Sequence, residues 1–139
     1  MDVNLRREII LDNYNNPKHR GLKEDESYIT FNSNNESCID DLNIAYKISD
    51  NLIEDVRFDG EACAISTSAV SIMIKSITGK TKEEALNILN NFENMINELE
   101  YDKEVLGELN VYEEIYKQPN RKNCALLPFV SLRKIIEEM

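Results

Sequence analysis

Four side chains of this sequence could together bind a metal ion. They are the thiols of Cys38, Cys63 and Cys124 and the carboxylate of Asp40, which follows Cys38 by two residues. The chain pattern predicts that each cysteine stands where a secondary-structure element begins. A thiol beside the free backbone N–H groups of a helix start is favoured as thiolate, the form that binds metal or carries sulfur. Three sulfur ligands and one oxygen ligand would complete a tetrahedral zinc shell.

The spacing of the cysteines leaves three interpretations open. The sequence contains no C-x-x-C motif, which would be a stronger sign of a metal site. Free cysteines are often buried in protein cores, so the first interpretation is that the three thiols are buried and have no chemical function. A metal site and a catalytic thiol are the others. A catalytic thiol needs a base, and the single histidine, His19, is the obvious candidate, although its polar loop favours a solvated side chain. Arg121, three residues before Cys124, is either surface charge or a cation that lowers the pKa of a nearby thiol.

Composition narrows the class of protein. The chain has 139 residues, with 26 acidic and 16 basic side chains and a net charge of -10. This length predicts one domain over residues 1–139. The negative charge repels nucleic acid and anionic membrane surfaces, so we expect proteins or small cations as partners. The odd cysteine count and the lack of a leader-like start argue against secretion and favour the cytoplasm. No apolar run approaches the roughly 20 residues that span a bilayer.

Apolar periodicity predicts an α+β fold in which a small three-stranded antiparallel sheet packs against several helices. A first helix is expected at residues 4–14 and a first strand at 28–31. The next two strands, at 42–48 and 53–58, form a hairpin around a turn at 49–51.

This hairpin predicts where the metal ligands meet. In an antiparallel pair, the start of one strand and the end of the next lie at the same end. Cys38 and Asp40 precede the second strand, and Cys63 follows the third. These side chains are therefore expected to meet, and any metal site that they form is a metal site at one end of the sheet.

Three further helices are expected after the sheet. The first covers residues 64–77 and has Cys63 at its N-terminus, and the second begins after Thr81, which forms a capping box with Glu84. The last covers 124–138, with Asn123 as its cap.

Residues 93–114 form an acidic stretch with eight carboxylates and one lysine. The stretch is expected to be either a solvated helical face or a docking surface.

Several segments resemble the U-type proteins of iron-sulfur cluster assembly, the family of SufU, IscU and the NifU N-terminal domain. Residues 12–21 are similar to the family's D-H-Y-x-N-P-x-x-x-G, and residues 58–66 to its F-x-G-x-x-C-x-I-S. Residues 35–40 match N-P-x-C-G-D in part, with Glu36 and Ile39 in place of proline and glycine. Residues 121–126 resemble the R-x-K-C-A of the SufU branch.

Two features favour the SufU branch. Asn123 stands where IscU-type members have a histidine, and residues 92–111 resemble an insertion that IscU-type members lack. The resemblance implies a zinc ion held by Cys38, Asp40, Cys63 and Cys124. It also implies that sulfur passes from a cysteine desulfurase to Cys38, with Arg121 favouring the anionic state of the site, and that downstream iron-sulfur assembly proteins are partners.

Two other functions stay open. The same ligands could hold iron or a [2Fe–2S] cluster, which would make the chain an assembly scaffold. Alternatively, zinc could stabilise a non-catalytic interaction module.

Overall fold

The computed structural model describes residues 1–35 and 39–139, and over these residues it confirms the α+β prediction. Three strands form an antiparallel sheet in the order β1-β2-β3. Five α-helices and two 3-10 helices accompany it. In chain order the elements are α1 (Val3–Asn15), β1 (Tyr28–Asn34), β2 (Asp41–Ser49), β3 (Leu52–Glu61), α2 (Ala64–Ile77), α3 (Lys82–Ile96), α4 (Lys103–Leu106), the 3-10 helices Gly107–Tyr112 and Ile115–Lys117, and α5 (Pro119–Glu138).

The hairpin of β2 and β3 fixes the end of the sheet that matters for the site. Its turn residues Asp50 and Asn51 both have positive φ, 50° and 65°, as tight two-residue hairpin turns require. At the other end, Leu42 pairs with Gly60. Gly60 has φ 121°, and a Cβ there would lie 2.1 Å from the Asp41 carbonyl oxygen. Only glycine fits at this position of the β2–β3 pair.

One face of the sheet carries the core. Leu42, Ile44 and Phe58 are fully buried there, within a single cluster of apolar side chains that includes most of α2. Because α2 is enclosed by sheet and helices, three of its serines, Ser66, Ser68 and Ser71, are buried, and they find partners inside the protein. Ser68 and the Tyr112 hydroxyl lie 2.6 Å apart in one such hydrogen bond.

The outer edge of β3 is covered by the chain before β1. The Gly21 N–H donates to the Phe58 carbonyl at 2.6 Å, and the Phe58 N–H donates to the His19 carbonyl at 3.2 Å. Residues 19–21 therefore act as a short parallel neighbour of β3.

The predicted start of the last helix is wrong. α5 begins at Pro119 rather than at Cys124, and Asn123 lies inside it. Proline is well suited to the first helical position, because that position needs no backbone N–H. Cys124 consequently lies in the second turn of a helix and not at a helix start.

The acidic stretch is not one helical face. α3 ends at Ile96, and the chain then passes through α4 and the Gly107–Tyr112 helix. Leu106, Leu109 and Tyr112 of this region are buried, so apolar side chains anchor it, while most of its carboxylates are exposed. No helix in the described part of the chain is long and apolar enough to cross a bilayer.

Candidate metal centre

Three of the four predicted ligands converge in the structure. One ligand atom each from Asp40, Cys63 and Cys124 lies within 4.8 Å of the other two. Asp40 precedes β2, Cys63 precedes α2 and Cys124 belongs to α5. Asp40 and Cys124 are buried, and Cys63 is half-buried. Two sulfurs and a carboxylate oxygen at this separation form a donor set that suits zinc or an iron-sulfur cluster.

Cys63 is held by the start of α2, as the sequence predicts. It is the N-cap residue, and its Sγ accepts a hydrogen bond from the Ser66 N–H at 3.4 Å. Its own N–H donates to Asp40 Oδ1 at 2.7 Å. The backbone of one ligand therefore orients the side chain of another.

Asp40 is a charged candidate ligand in a buried position. Burial raises the pKa of this carboxyl, but hydrogen bonds from the Cys63 N–H and the Ser66 hydroxyl outweigh burial and bring the pKa below its usual value. The Asp40 carbonyl oxygen accepts a hydrogen bond from the Asn35 N–H at 3.0 Å. At neutral pH the site thus contains a fixed negative charge.

Cys124 was expected to be a thiolate at the start of a helix, but it lies inside α5 and its thiol has a raised pKa. Burial raises the pKa of its thiol to about 12, and the neighbouring Cys63 and Asp40 act in the same direction. The thiol therefore stays protonated at neutral pH until a cation binds, and metal binding must release its proton.

Ser66 is a site residue that sequence reasoning missed. Its fully buried hydroxyl lies 2.7 Å from Asp40 Oδ2 and 2.9 Å from the Cys124 carbonyl oxygen. It also lies 3.6 Å from Cys63 Sγ. One side chain thus links all three converging residues. The available signal was its place three residues after a helix-capping cysteine, within the family-like segment 58–66.

The remaining predicted site residues are placed differently. Cys38 lies outside the described residues. Arg121 lies in the first turn of α5 with an exposed side chain, which makes no hydrogen bond or ion pair with the described part of the protein.

His19 is not a base for the three converging residues. Its Nδ1 lies 3.0 Å from the Val56 carbonyl oxygen and 3.4 Å from Asp55 Oδ1. Val56 is five residues before Glu61 at the metal end of β3, roughly 17 Å along the strand.

Comparison with known proteins agrees with this geometry. Residues 5–125 match the family described as NifU-like N terminal domain. The chain belongs to this family. The prediction made from its motifs is therefore confirmed.

Two relatives of the NifU-like family cover nearly the whole chain. A Bacillus subtilis protein named zinc-dependent sulfurtransferase SufU is 35% identical over 131 residues, which are 94% of this chain and 88% of the relative. A Thermotoga maritima protein named iron-sulfur cluster assembly scaffold protein IscU is 29% identical over 132 residues, covering 95% and 92%. A crystal structure from Fervidobacterium islandicum, described as a SUF-system assembly scaffold, superposes with TM-score 0.86 at 36% identity, covering 91% and 92%.

Proposed function

We propose that this chain is a zinc-dependent sulfur acceptor in iron-sulfur cluster assembly, which takes persulfide sulfur from a cysteine desulfurase. The observation that carries the proposal is the convergence of Asp40, Cys63 and Cys124 within 4.8 Å. The similarity to the Bacillus subtilis SufU over 94% of the chain supports it. We also propose that residues 1–139 work as one domain in the cytoplasm.

Cys38 is the fourth ligand in this proposal. It precedes Asp40 by two residues, so the chain length alone keeps its Cα within roughly 8 Å of the Asp40 Cα. Zinc in such a shell would keep the thiols deprotonated at neutral pH without redox chemistry. Asp40, Cys63 and Cys124 would hold the metal while the Cys38 thiol is free to react.

The transfer step is a thiol exchange at sulfur. The Cys38 thiolate attacks the terminal sulfur of the desulfurase persulfide and forms a new S–S bond, and the partner's cysteine leaves as a thiolate. Cys38 then carries the persulfide. Arg121, close in sequence to Cys124, favours the anionic forms of the site by its charge.

Two measurements test this function. Freshly purified protein should contain about one zinc per chain, as the four-ligand shell requires. After incubation with desulfurase and cysteine, mass spectrometry should find one added sulfur on the Cys38 peptide. Less than a tenth of an equivalent of zinc, or a persulfide found only on Cys124, would rule the proposal out.

The alternative function is a scaffold on which a [2Fe–2S] cluster is assembled. The Thermotoga maritima relative is named as such a scaffold, and thiolate-rich sites also suit iron-sulfur clusters. Asn123 in place of the histidine of IscU-type members favours zinc instead. A brown protein with iron and acid-labile sulfide after anaerobic purification would support the scaffold.

A further inference from the structure

A groove of about 580 Å³ is lined by residues of α1 and of the first turns of α2 and α5. Arg6, Arg7 and Leu11 of α1 form one side of it, and Ile65 and Arg121 lie on the other. Ile65 is in the first turn of α2, two residues after Cys63. Arg121 is in the first turn of α5, three residues before Cys124. The groove is therefore bordered by helix turns that lie next in sequence to two of the candidate metal ligands, Cys63 and Cys124.

The charge of the groove is opposite to that of the protein. Three arginines and one glutamate line it, whereas the whole chain has a net charge of -10. Arg6 is neutralised locally, since its guanidinium lies 3.4 Å from Glu113 and 2.7 Å from Glu114. The side chains of Arg7 and Arg121 are exposed, and neither forms an ion pair within the described part of the chain. Two arginine charges are thus available to a partner.

The groove also offers apolar contact between these charges. Leu11 is 46% exposed on α1, and Ile65 forms part of the opposite wall. Interfaces commonly combine an apolar centre with charges at the rim that orient the approaching partner. An acidic partner is repelled by most of this protein's surface and attracted here.

Resting on the proposed function, we infer that this groove recognises the sulfur-donating protein through an acidic segment that carries an apolar side chain. The segment's carboxylates pair with Arg7 and Arg121, and its apolar side chain lies against Leu11 and Ile65. This contact places the donor next to the turns that carry Cys63 and Cys124.

The test is direct binding of the zinc-loaded chain to a cysteine desulfurase, measured by calorimetry separately from sulfur transfer. Arg7→Glu should weaken binding about tenfold and reduce its dependence on salt, because charged interface residues act through electrostatic attraction. Arg7→Lys should stay within about threefold of wild type. Lys23→Glu changes the net charge equally at a residue that does not line the groove, and it should bind as wild type does. All variants should retain zinc.

Each outcome decides between the proposals. Binding that Arg7→Glu weakens, without sulfur transfer by the wild-type chain, would reject the sulfur-acceptor function and support the docking surface. Transfer with equal affinity for wild type and Arg7→Glu would reject the docking surface alone. A wild-type chain that does not bind the desulfurase, or one that forms dimers abolished by Arg7→Glu, would reject the inferred occupant.

Discussion

The carbonyl group of Cys124 lacks the usual α-helical donor, because the residue four positions later is Pro128. An α-helix normally supplies an N–H from that position, and proline has none. The Ser66 hydroxyl lies 2.9 Å from this carbonyl oxygen and can serve it instead. The same hydroxyl lies 2.7 Å from Asp40 Oδ2. A proline inside α5 thus makes the metal site depend on a serine of α2.

Ser66→Ala should therefore weaken both the fold and the site. The variant removes the single O–H that lies within reach of both Asp40 Oδ2 and the Cys124 carbonyl. Loss of that one donor costs about 1–3 kcal/mol of unfolding free energy. Metal affinity should fall about tenfold, within the range found when residues that orient metal ligands are changed. Chemical denaturation of the metal-free protein and chelator competition measure the two effects.

A double-mutant cycle provides the control. Pro128→Ala returns a backbone N–H to α5, so it should restore part of the stability lost in Ser66→Ala while leaving the loss at Asp40 unrepaired. Additive losses in the double variant would show that the serine does not satisfy the Cys124 carbonyl.

Removal of the metal should lower the melting temperature. A bound ion stabilises the folded state by roughly 3 kcal/mol at a hundredfold excess over its dissociation constant, which corresponds to about 10 °C for a chain of this size. Calorimetry with and without a chelator measures the shift. The Cys63→Ala variant should melt at one temperature in both conditions. Identical curves for the wild-type chain would contradict a structural role of the metal.

Local signals in the sequence were sufficient to place α2 and α3. Gly60 and the Cys63 cap define the start of α2, and its predicted range of 64–77 equals the observed Ala64–Ile77. Thr81 and Glu84 form both hydrogen bonds of the predicted capping box. Pro119 gave no such unique signal, because proline suits both an interruption and a first helical position. The start of α5 therefore could not be read locally.

The site was predictable where it depends on the hairpin. Antiparallel pairing brings Asp40 to Cys63, and the observed 2.7 Å hydrogen bond between them agrees with this expectation. The approach of Cys124 depends on how α5 packs against α2, which is a long-range contact without a local pattern. Ser66 was missed for the same reason, since both of its acceptors belong to other elements.

Asp55→Asn should reveal a pH-dependent contribution to stability away from the metal. Burial raises the pKa of Asp55, but hydrogen bonds from Tyr28 and Arg57 lower it by more than burial raises it. The pKa of Asp55 is therefore below its usual value. A carboxyl with a lowered folded-state pKa stabilises the fold above its unfolded pKa of about 4 and loses this effect as the pH falls. We expect Asp55→Asn to cost about 1–2 kcal/mol at pH 7.

This difference from wild type should disappear near pH 2. Urea denaturation across pH 2–7 measures it, and the non-titrating variant is the reference at each pH. A cost that remains constant over the whole range would show that the charge of Asp55 contributes nothing.

Gly60→Ala should distort the end of the sheet next to Asp40. The new Cβ would meet the Asp41 carbonyl oxygen at 2.1 Å, in a backbone conformation with φ 121°. We expect a loss of at least about 2 kcal/mol in unfolding free energy, together with weaker metal binding. Gly21→Ala is the matched control, because Gly21 also has positive φ, 106°, but a Cβ added there would meet no atom within 4 Å. Equal losses in both variants would exclude the collision as the cause.

Ile39→Gly tests whether the ligand loop limits sulfur transfer. The Ile39 side chain is 69% exposed, so its removal costs little packing, while glycine widens the accessible backbone conformations. If Cys38 must leave the metal, this variant should transfer sulfur faster and hold zinc less tightly. Single-turnover kinetics and chelator competition measure both. Ile39→Ala removes most of the side chain but gives the backbone less freedom than glycine does, so its transfer rate and zinc affinity should lie between those of wild type and Ile39→Gly. Unchanged values in Ile39→Gly would argue against release of Cys38.

The cover of β3 by residues 19–21 has a consequence for self-association. An uncovered strand edge presents free N–H and C=O groups that can recruit a strand from another molecule. Here the Phe58 backbone is already bonded to His19 and Gly21. A chain shortened to begin after Gly21 would lose α1 and also expose this edge. The N-terminal segment therefore keeps β3 from becoming a template for aggregation.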